Sequence, residues 1–249
     1  MLTTRVVILA AGKGTRMKSD IPKPLIPVAG EPMITRLVRS VKESGIDEKP
    51  VVVVGSWSEA MFRDVLKDSV DYAVQLEQLG TGHALRSAKE AVGDADRVVV
   101  LYGDHPFIRP EVMNRLVEIQ SKNSVSVAML TAKVPNFDEV FATFAKWGRI
   151  LRDADGNVTA IREAKDATPD ELAVTEVNPA IFAFPAEWAW NRLENLKNTN
   201  ASGEYYLTDL IGAAMEEGVP IVTADADPMD VVGINSPEEL ARAEAMVQG

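Results

Sequence analysis

Four runs of apolar, mostly β-branched residues recur along the chain: Val6 to Ala10, Val51 to Val54, Val98 to Tyr102 and Val125 to Leu130. Apart from Ser126, the apolar residues inside each run are continuous rather than alternating, so both faces of each strand must be buried. A mostly parallel sheet with helices on both sides meets that condition. Helical stripes do lie between the runs. Met33, Ile34, Leu37, Val38 and Val41 form one that ends near Gly45. Ala84, Leu85, Ala88, Ala91 and Val92 form another that ends at Gly93, and Val112, Met113, Leu116 and Val117 begin a third. This alternation predicts a Rossmann-like α/β fold, a sheet wound from βαβ units with right-handed crossovers. After about residue 133 the rhythm changes, and "GRILRDADGNVTAIRE" reads as a hairpin around Asp155-Gly156. Residues from roughly 135 to 190 are therefore expected to form an antiparallel β insertion against a mixed, mostly parallel sheet. Near the end, Ser236 reads as an N-cap, Pro237 as the first helical residue and Glu239 as the closing member of a capping box. With no internal repeat or low-complexity linker, residues 1–249 are expected to form one domain.

Composition narrows the function. A net charge of −11 argues against nucleic acid or anionic lipid as the main partner. No run approaches the roughly 18 apolar residues that span a bilayer. The absence of cysteine excludes disulfides, Cys-zinc sites and a Cys nucleophile, and fits a reducing compartment. The N-terminus carries no basic region followed by a small-residue cleavage site, so a cytoplasmic location is expected. Two histidines, His83 and His105, cannot build a multi-His metal cluster. Any metal would be a hard, oxygen-ligated ion such as Mg²⁺.

The first loop, in "RVVILAAGKGTRM", suggests phosphate but matches neither common phosphate loop. A Walker A loop needs a glycine five residues before Gly12, where Val7 stands, and a Ser or Thr directly after its lysine. A Rossmann fingerprint needs a third glycine where Met17 stands, and an acidic residue near Val54, where Gly55 and Ser56 follow. What remains is a strand end followed by small residues, which lets backbone amides approach a ligand closely. From Gly12 to Pro24, Lys13, Arg16, Lys18 and Lys23 stand against Asp20, a local charge of +3 (four cations less one anion). Four prolines, Pro22, Pro24, Pro27 and Pro32, stiffen the roughly 20 residues between this strand and the next helix. Unstructured connections that long are usually functional or disordered.

"LAAGKGTRM" followed by "PKPLIPVAGEPMI" resembles the signature of the sugar-1-phosphate nucleotidyltransferases. Three further stretches, "QLEQLGTGHA", "GEYYLTD" and "VVGIN", are similar to the uridylyltransferase domain that makes UDP-N-acetylglucosamine. The resemblance covers nearly the whole chain. It implies the nucleotide-diphospho-sugar transferase fold, with UTP and a sugar 1-phosphate as substrates, pyrophosphate as product and Mg²⁺ as cofactor. It assigns the nucleotide to Leu9, Ala10, Ala11, Gly12, Lys13, Gly14, Gln75, Gly80 and Thr81, and the metal to Asp104 and Asn235. Arg16 would hold the β- and γ-phosphates and Lys23 the α-phosphate in the transition state. Tyr102, Gly148, Glu163, Lys165 and Asn178 would contact the sugar or its phosphate. On residue chemistry alone, "GTGHA" equally reads as a helix start with Thr81 as N-cap, and His83 is given no chemistry. Asp104 and Asn235 equally read as turn residues.

The chain departs from the pattern in two places. Trp147 stands where the family has Tyr or Leu, and Pro179, which has no N–H, follows Asn178. The sugar could therefore be glucose 1-phosphate, with UTP or dTTP, instead of N-acetylglucosamine 1-phosphate. A non-catalytic sensing homologue is the alternative of another class. Bifunctional relatives continue into a left-handed β-helix that acetylates glucosamine 1-phosphate; a chain stopping at Gly249 is expected to lack that activity.

Overall fold

In the computed structural model, residues 2–14, 17, 19–200 and 202–248 are described. Strand β1 (Thr4–Leu9) leads into the proline-stiffened loop, which holds a 3₁₀ turn (Lys23–Leu25) and a small hairpin of β2 (Pro27–Val28) and β3 (Glu31–Pro32). Then follow α1 (Met33–Glu43), β4 (Val51–Gly55), α2 (Glu59–Leu66), β5 (Asp71–Gln75), α3 (Thr81–Ser87), α4 (Lys89–Val92), β6 (Arg97–Tyr102), α5 (Pro110–Ser121) and β7 (Val127–Lys133). The insertion comprises a 3₁₀ stretch (Glu139–Lys146), β8 (Arg149–Arg152), β9 (Val158–Arg162), α6 (Pro169–Leu172), β10 (Glu176–Val177) and β11 (Phe182–Pro185). Finally come α7 (Ala186–Glu194), α8 (Asp209–Glu216), β12 (Ile221–Ala226) and α9 (Pro237–Gln248).

The central sheet runs in the order β5-β4-β1-β6-β11-β7, with β12 parallel to β7. Strands β5, β4, β1 and β6 are mutually parallel, so the mostly parallel, mixed sheet expected from the apolar runs is present. Successive residues of those runs explain their continuous apolarity. Val6, Ile8, Val52, Val54, Val99 and Leu101 pack with α1, α2 and α5 on one face. Val7, Leu9, Val51, Val53, Val98 and Val100 pack with α3, α4, α7 and α8 on the other. Burying each such side chain fully contributes about 1.5–3 kcal/mol, which makes the sheet a rigid platform for the loops at its carboxyl edge.

The insertion differs from expectation in one respect. β8 and β9 do form an antiparallel hairpin, with Gly156 at φ 86° in its turn. But β11 is not laid against the sheet; it lies inside it, antiparallel to both β6 and β7. Its sequence, Phe182-Ala183-Phe184, is fully buried, with Phe182 and Phe184 in one core and Ala183 in the other. The chain therefore re-enters the wound core before α7. The strand expected from Val125 starts at Val127, with Val125 exposed.

Candidate active site

Strands β1, β5 and β6 end at one edge, and the loops that follow them line a cleft of about 460 Å³. All nine residues assigned to the nucleotide from the sequence (Leu9, Ala10, Ala11, Gly12, Lys13, Gly14, Gln75, Gly80 and Thr81) line it, with Lys23, Tyr102 and Asp104. In wound α/β sheets, ligands sit in the crevice beyond the strand carboxyl ends, and here β1, β5 and β6 supply the walls. Arg16 lies outside the described residues. Gly14, at φ 58°, lets Lys23 lie against the first loop; a Cβ there would stand 2.8 Å from Lys23 Cβ.

The motifs "LGTGHA" and "GEYYLTD", separated by as many as 126 positions where they bond, interlock chiefly through the backbone. Tyr205 N–H donates to the Leu79 carbonyl and Gly82 N–H to the Tyr205 carbonyl, each at 2.8 Å. Leu207 N–H donates to Thr81 Oγ1 at 2.9 Å. Thr81 is thus the first residue of α3, with Gly80 in the N-cap position, and its hydroxyl binds across to the partner motif instead of capping the helix. Gly80 sits at φ 109°, and a Cβ there would approach Tyr205 O to 2.5 Å. Gly80→Ala combines backbone strain with that clash and is expected to cost more than about 2 kcal/mol of unfolding free energy. Chemical denaturation measures it, and a loss below about 0.5 kcal/mol would contradict the interlock.

At the same edge, the Lys23 ammonium lies between two oxygens. It contacts Asp104 Oδ2 and donates to Asn235 Oδ1 at 2.8 Å. The two oxygens come from loops after β6 and before α9, which a backbone bond from Ile234 N–H to Asp104 O (3.0 Å) ties together. Burial pushes the Asp104 carboxyl up, and Lys23 with His105 more than offsets this, holding it below the usual carboxylate range. The capping box on α9 forms in altered shape. Glu239 N–H donates to Ser236 Oγ at 3.2 Å, but the Glu239 carboxylate accepts from Asn235 N–H (2.6 Å) and from the Thr143 hydroxyl (2.9 Å). Glu239 therefore orients Asn235. Among the described residues no group of three acidic, His or Cys ligands exists. A carboxylate and an amide carbonyl already accommodating a cation do fit Mg²⁺, which takes one or two protein oxygens and completes its shell with phosphate oxygens and water.

The MobA-like NTP transferase domain pattern matches residues 6–204. The chain belongs to the MobA-like NTP transferase family. Bifunctional protein GlmU of Burkholderia multivorans is 42% identical over 244 residues, which are 98% of this chain and 52% of that protein. Bifunctional protein GlmU of Clostridium novyi is 40% identical over 243 residues, 97% of this chain and 52% of that protein. The chain thus spans about half the length of these relatives. A solved structure from Bacillus anthracis, assigned as a glucose-1-phosphate thymidylyltransferase and bound to sucrose, shares the fold with a TM-score of 0.78 at 23% identity. That match covers 98% of this chain and 95% of the other.

In this NTP transferase domain the residues assigned to the sugar are held less uniformly. Tyr102 joins the first cleft and lies near Thr81, Asp104 and Glu163; burial pushes its phenol far up. Glu163 and Lys165 instead line a second depression of about 1180 Å³, with Asn200, Tyr206, Thr208 and Asp209. Burial raises the Glu163 carboxyl above its usual range, against the pull of Lys165. Asn178 N–H donates to Gly148 O at 2.9 Å, and a Cβ on Gly148 would stand 3.5 Å from Glu163 Oε1, so these three form one wall. Asn178 Oδ1 accepts from Ala180 N–H at 2.8 Å, a turn that bridges Pro179 and holds Ala180 at φ 60°. Trp147 faces inward, stacked 6.1 Å from His105 and edge-on 4.7 Å from Phe144, so it supports the loop behind Asp104.

Two groups given no role from the sequence lie beside these residues. Tyr206, Thr208 and Asp209 belong to a motif recognised without a role. His83, given no chemistry, has its Nδ1 3.0 Å from Nε2 of Gln75, which lines the cleft.

Proposed function

We propose that the chain transfers a uridylyl group from UTP to N-acetylglucosamine 1-phosphate, giving UDP-N-acetylglucosamine and pyrophosphate, with Mg²⁺ as cofactor. The carrying observation is the Lys23 ammonium held between Asp104 and Asn235 oxygens at the edge of a cleft lined by all nine nucleotide-assigned residues. A sugar phosphate monoester has a second pKa near ~6, so it is mostly a dianion at neutral pH. One of its oxygens attacks the α-phosphorus directly, with no general base. As that P–O bond forms, the bond from the α-phosphorus to the α,β-bridging oxygen breaks, and its electron pair leaves with pyrophosphate.

Repulsion between the dianion and the triphosphate opposes this step, so catalysis rests on positioning and charge neutralisation. Lys23 would exchange the Asp104 and Asn235 oxygens for the α-phosphate, and those two oxygens would then be free to hold the metal. Mg²⁺, when bound, supplies Lewis-acid neutralisation of the phosphates. Lys13 and Arg16 are assigned to the departing pyrophosphate. Glu163 accepts from sugar hydroxyls, beside Tyr102, Gly148, Lys165 and Asn178.

Pyrophosphate release across a panel of sugar 1-phosphates and nucleoside triphosphates tests the reading. UTP with N-acetylglucosamine 1-phosphate is expected to turn over fastest. Pro179 and the committed Asn178 carbonyl favour one rival, glucose 1-phosphate with UTP or dTTP, and faster turnover there would replace the substrate assignment. No turnover with any pair would favour a non-catalytic role.

A further inference from the structure

The reading of the base depends on which end of the Gln75 amide faces the cleft. An amide carries one donor end and one acceptor end, and the two present opposite patterns to a ligand. Gln75 is almost fully buried, so it cannot turn freely to suit whatever arrives. Its Nε2 donates to the Gly80 carbonyl at 3.1 Å and lies 3.0 Å from His83 Nδ1. A carbonyl can only accept, so the nitrogen end must face Gly80. The second hydrogen on Nε2 then points at His83, whose Nδ1 must offer a lone pair. Both donors are spent on the protein, and Gln75 Oε1 makes no hydrogen bond among the described residues.

We infer that His83 is a specificity-determining positioning residue: its Nδ1 lone pair, with the Gly80 carbonyl, locks Gln75 so that only an acceptor is presented to the base. Resting on the proposed use of UTP, this explains how uracil is read. A uracil ring has a single donor, N3–H, and two carbonyl acceptors. An acceptor-only amide pairs with N3–H and meets a repelling lone pair at cytosine N3. Thymine carries the same N3–H, so the lock serves dTTP equally. Flipping the amide to suit cytosine would set Oε1 against two acceptors at once, with both protein bonds lost.

Three surrounding features support the lock. Burial and the nearby Arg86 hold the His83 imidazole below its usual range, against a weaker opposite pull from Glu77, so the neutral ring is the form present near pH 7. Its helix, α3, is fastened by the interlock of Gly82 with Tyr205. The His83 ring lies 6.4 Å from that of Tyr205, in the same interlocked motif.

The test is the ratio of UTP to CTP affinity, measured by calorimetry without sugar phosphate. His83→Phe keeps a flat ring but removes the acceptor, and should lower the UTP preference about tenfold, the worth of one hydrogen bond of ordinary strength. His83→Asn places Oδ1 near the position of Nδ1 and should keep the preference. A purely structural role would weaken both nucleotides together and leave the ratio unmoved, which would overturn the inference. The wild-type protein gives a second reading that needs no variant. Long-range ¹H–¹⁵N spectra of its two histidines should show His83 with the proton on Nε2 and a bare Nδ1; a proton on Nδ1 would overturn the lock. Absence of pyrophosphate release from UTP with every sugar 1-phosphate would instead overturn the proposed function, and the tautomer would still decide the orientation of Gln75.

Discussion

Lys23→Ala should lower kcat by about 10²–10³-fold, the range for losing one preorganised charge-stabilising donor in an active site, while the protein stays folded. The substitution removes the cation that bridges Asp104 and Asn235 and that is assigned to the α-phosphate. It should also have an effect opposite in sign. On the proposed metal site, lysine and a divalent ion would compete for the same two oxygens, so the nucleotide-free variant should bind Mn²⁺, used as a spectroscopic probe, more tightly than the wild type. Tighter metal with slower turnover is a combination that a general packing defect does not produce. Unchanged Mn²⁺ affinity would contradict the exchange of Lys23 for metal, and near-normal kcat would contradict its role at the α-phosphate.

Asp104→Ala should be at least as damaging, with kcat down by about 10³-fold or more, since both the proposed metal ligand and the partner of Lys23 are lost. Asp104→Asn separates charge from shape. It keeps an oxygen near the same place, and should restore folding stability better than activity. The pair also has a signature in acid. The folded-state pKa of Asp104 is lowered from its ordinary 3.8, so the pair's contribution to stability is complete above that value. It declines as pH falls through the folded-state value. Denaturation of Asp104→Asn should therefore show a flatter acid limb below pH 3.8 than the wild type. Equal slopes would mean that the ion pair does not contribute in solution.

Much of the fold was legible because burial on two faces leaves a one-dimensional trace. Val51 to Val54 can be continuous only if alternate residues meet two different cores, and they do. The position of β11 was not legible, because Phe-Ala-Phe also suits an edge strand; only pairing with both β6 and β7 distinguishes the two. The site divides similarly. Loops that follow strands can be placed from the winding rule, so the residues assigned to the nucleotide from their motifs were expected at one edge, and they line one cleft there. Contacts that close across the fold leave no local pattern. Glu239 reads as a cap of its own helix, yet its carboxylate is committed to Asn235 and Thr143. His83 lies eight positions from Gln75, on a helix that follows a strand and a loop, and no periodicity reports that their side chains meet. The wall assigned to the sugar is the least legible region, since Glu163, Gly148 and Asn178 converge only through the pairing of β8 with β9 and β10.

The central claim is that the chain acts on the α-phosphorus, not the γ. UTP labelled with ³²P at either position, incubated with N-acetylglucosamine 1-phosphate and Mg²⁺, tests it directly. Label from the α-position should appear in the sugar nucleotide, and label from the γ-position should leave in pyrophosphate. Transfer of the γ-label to the sugar phosphate, or its release as orthophosphate, would contradict the account.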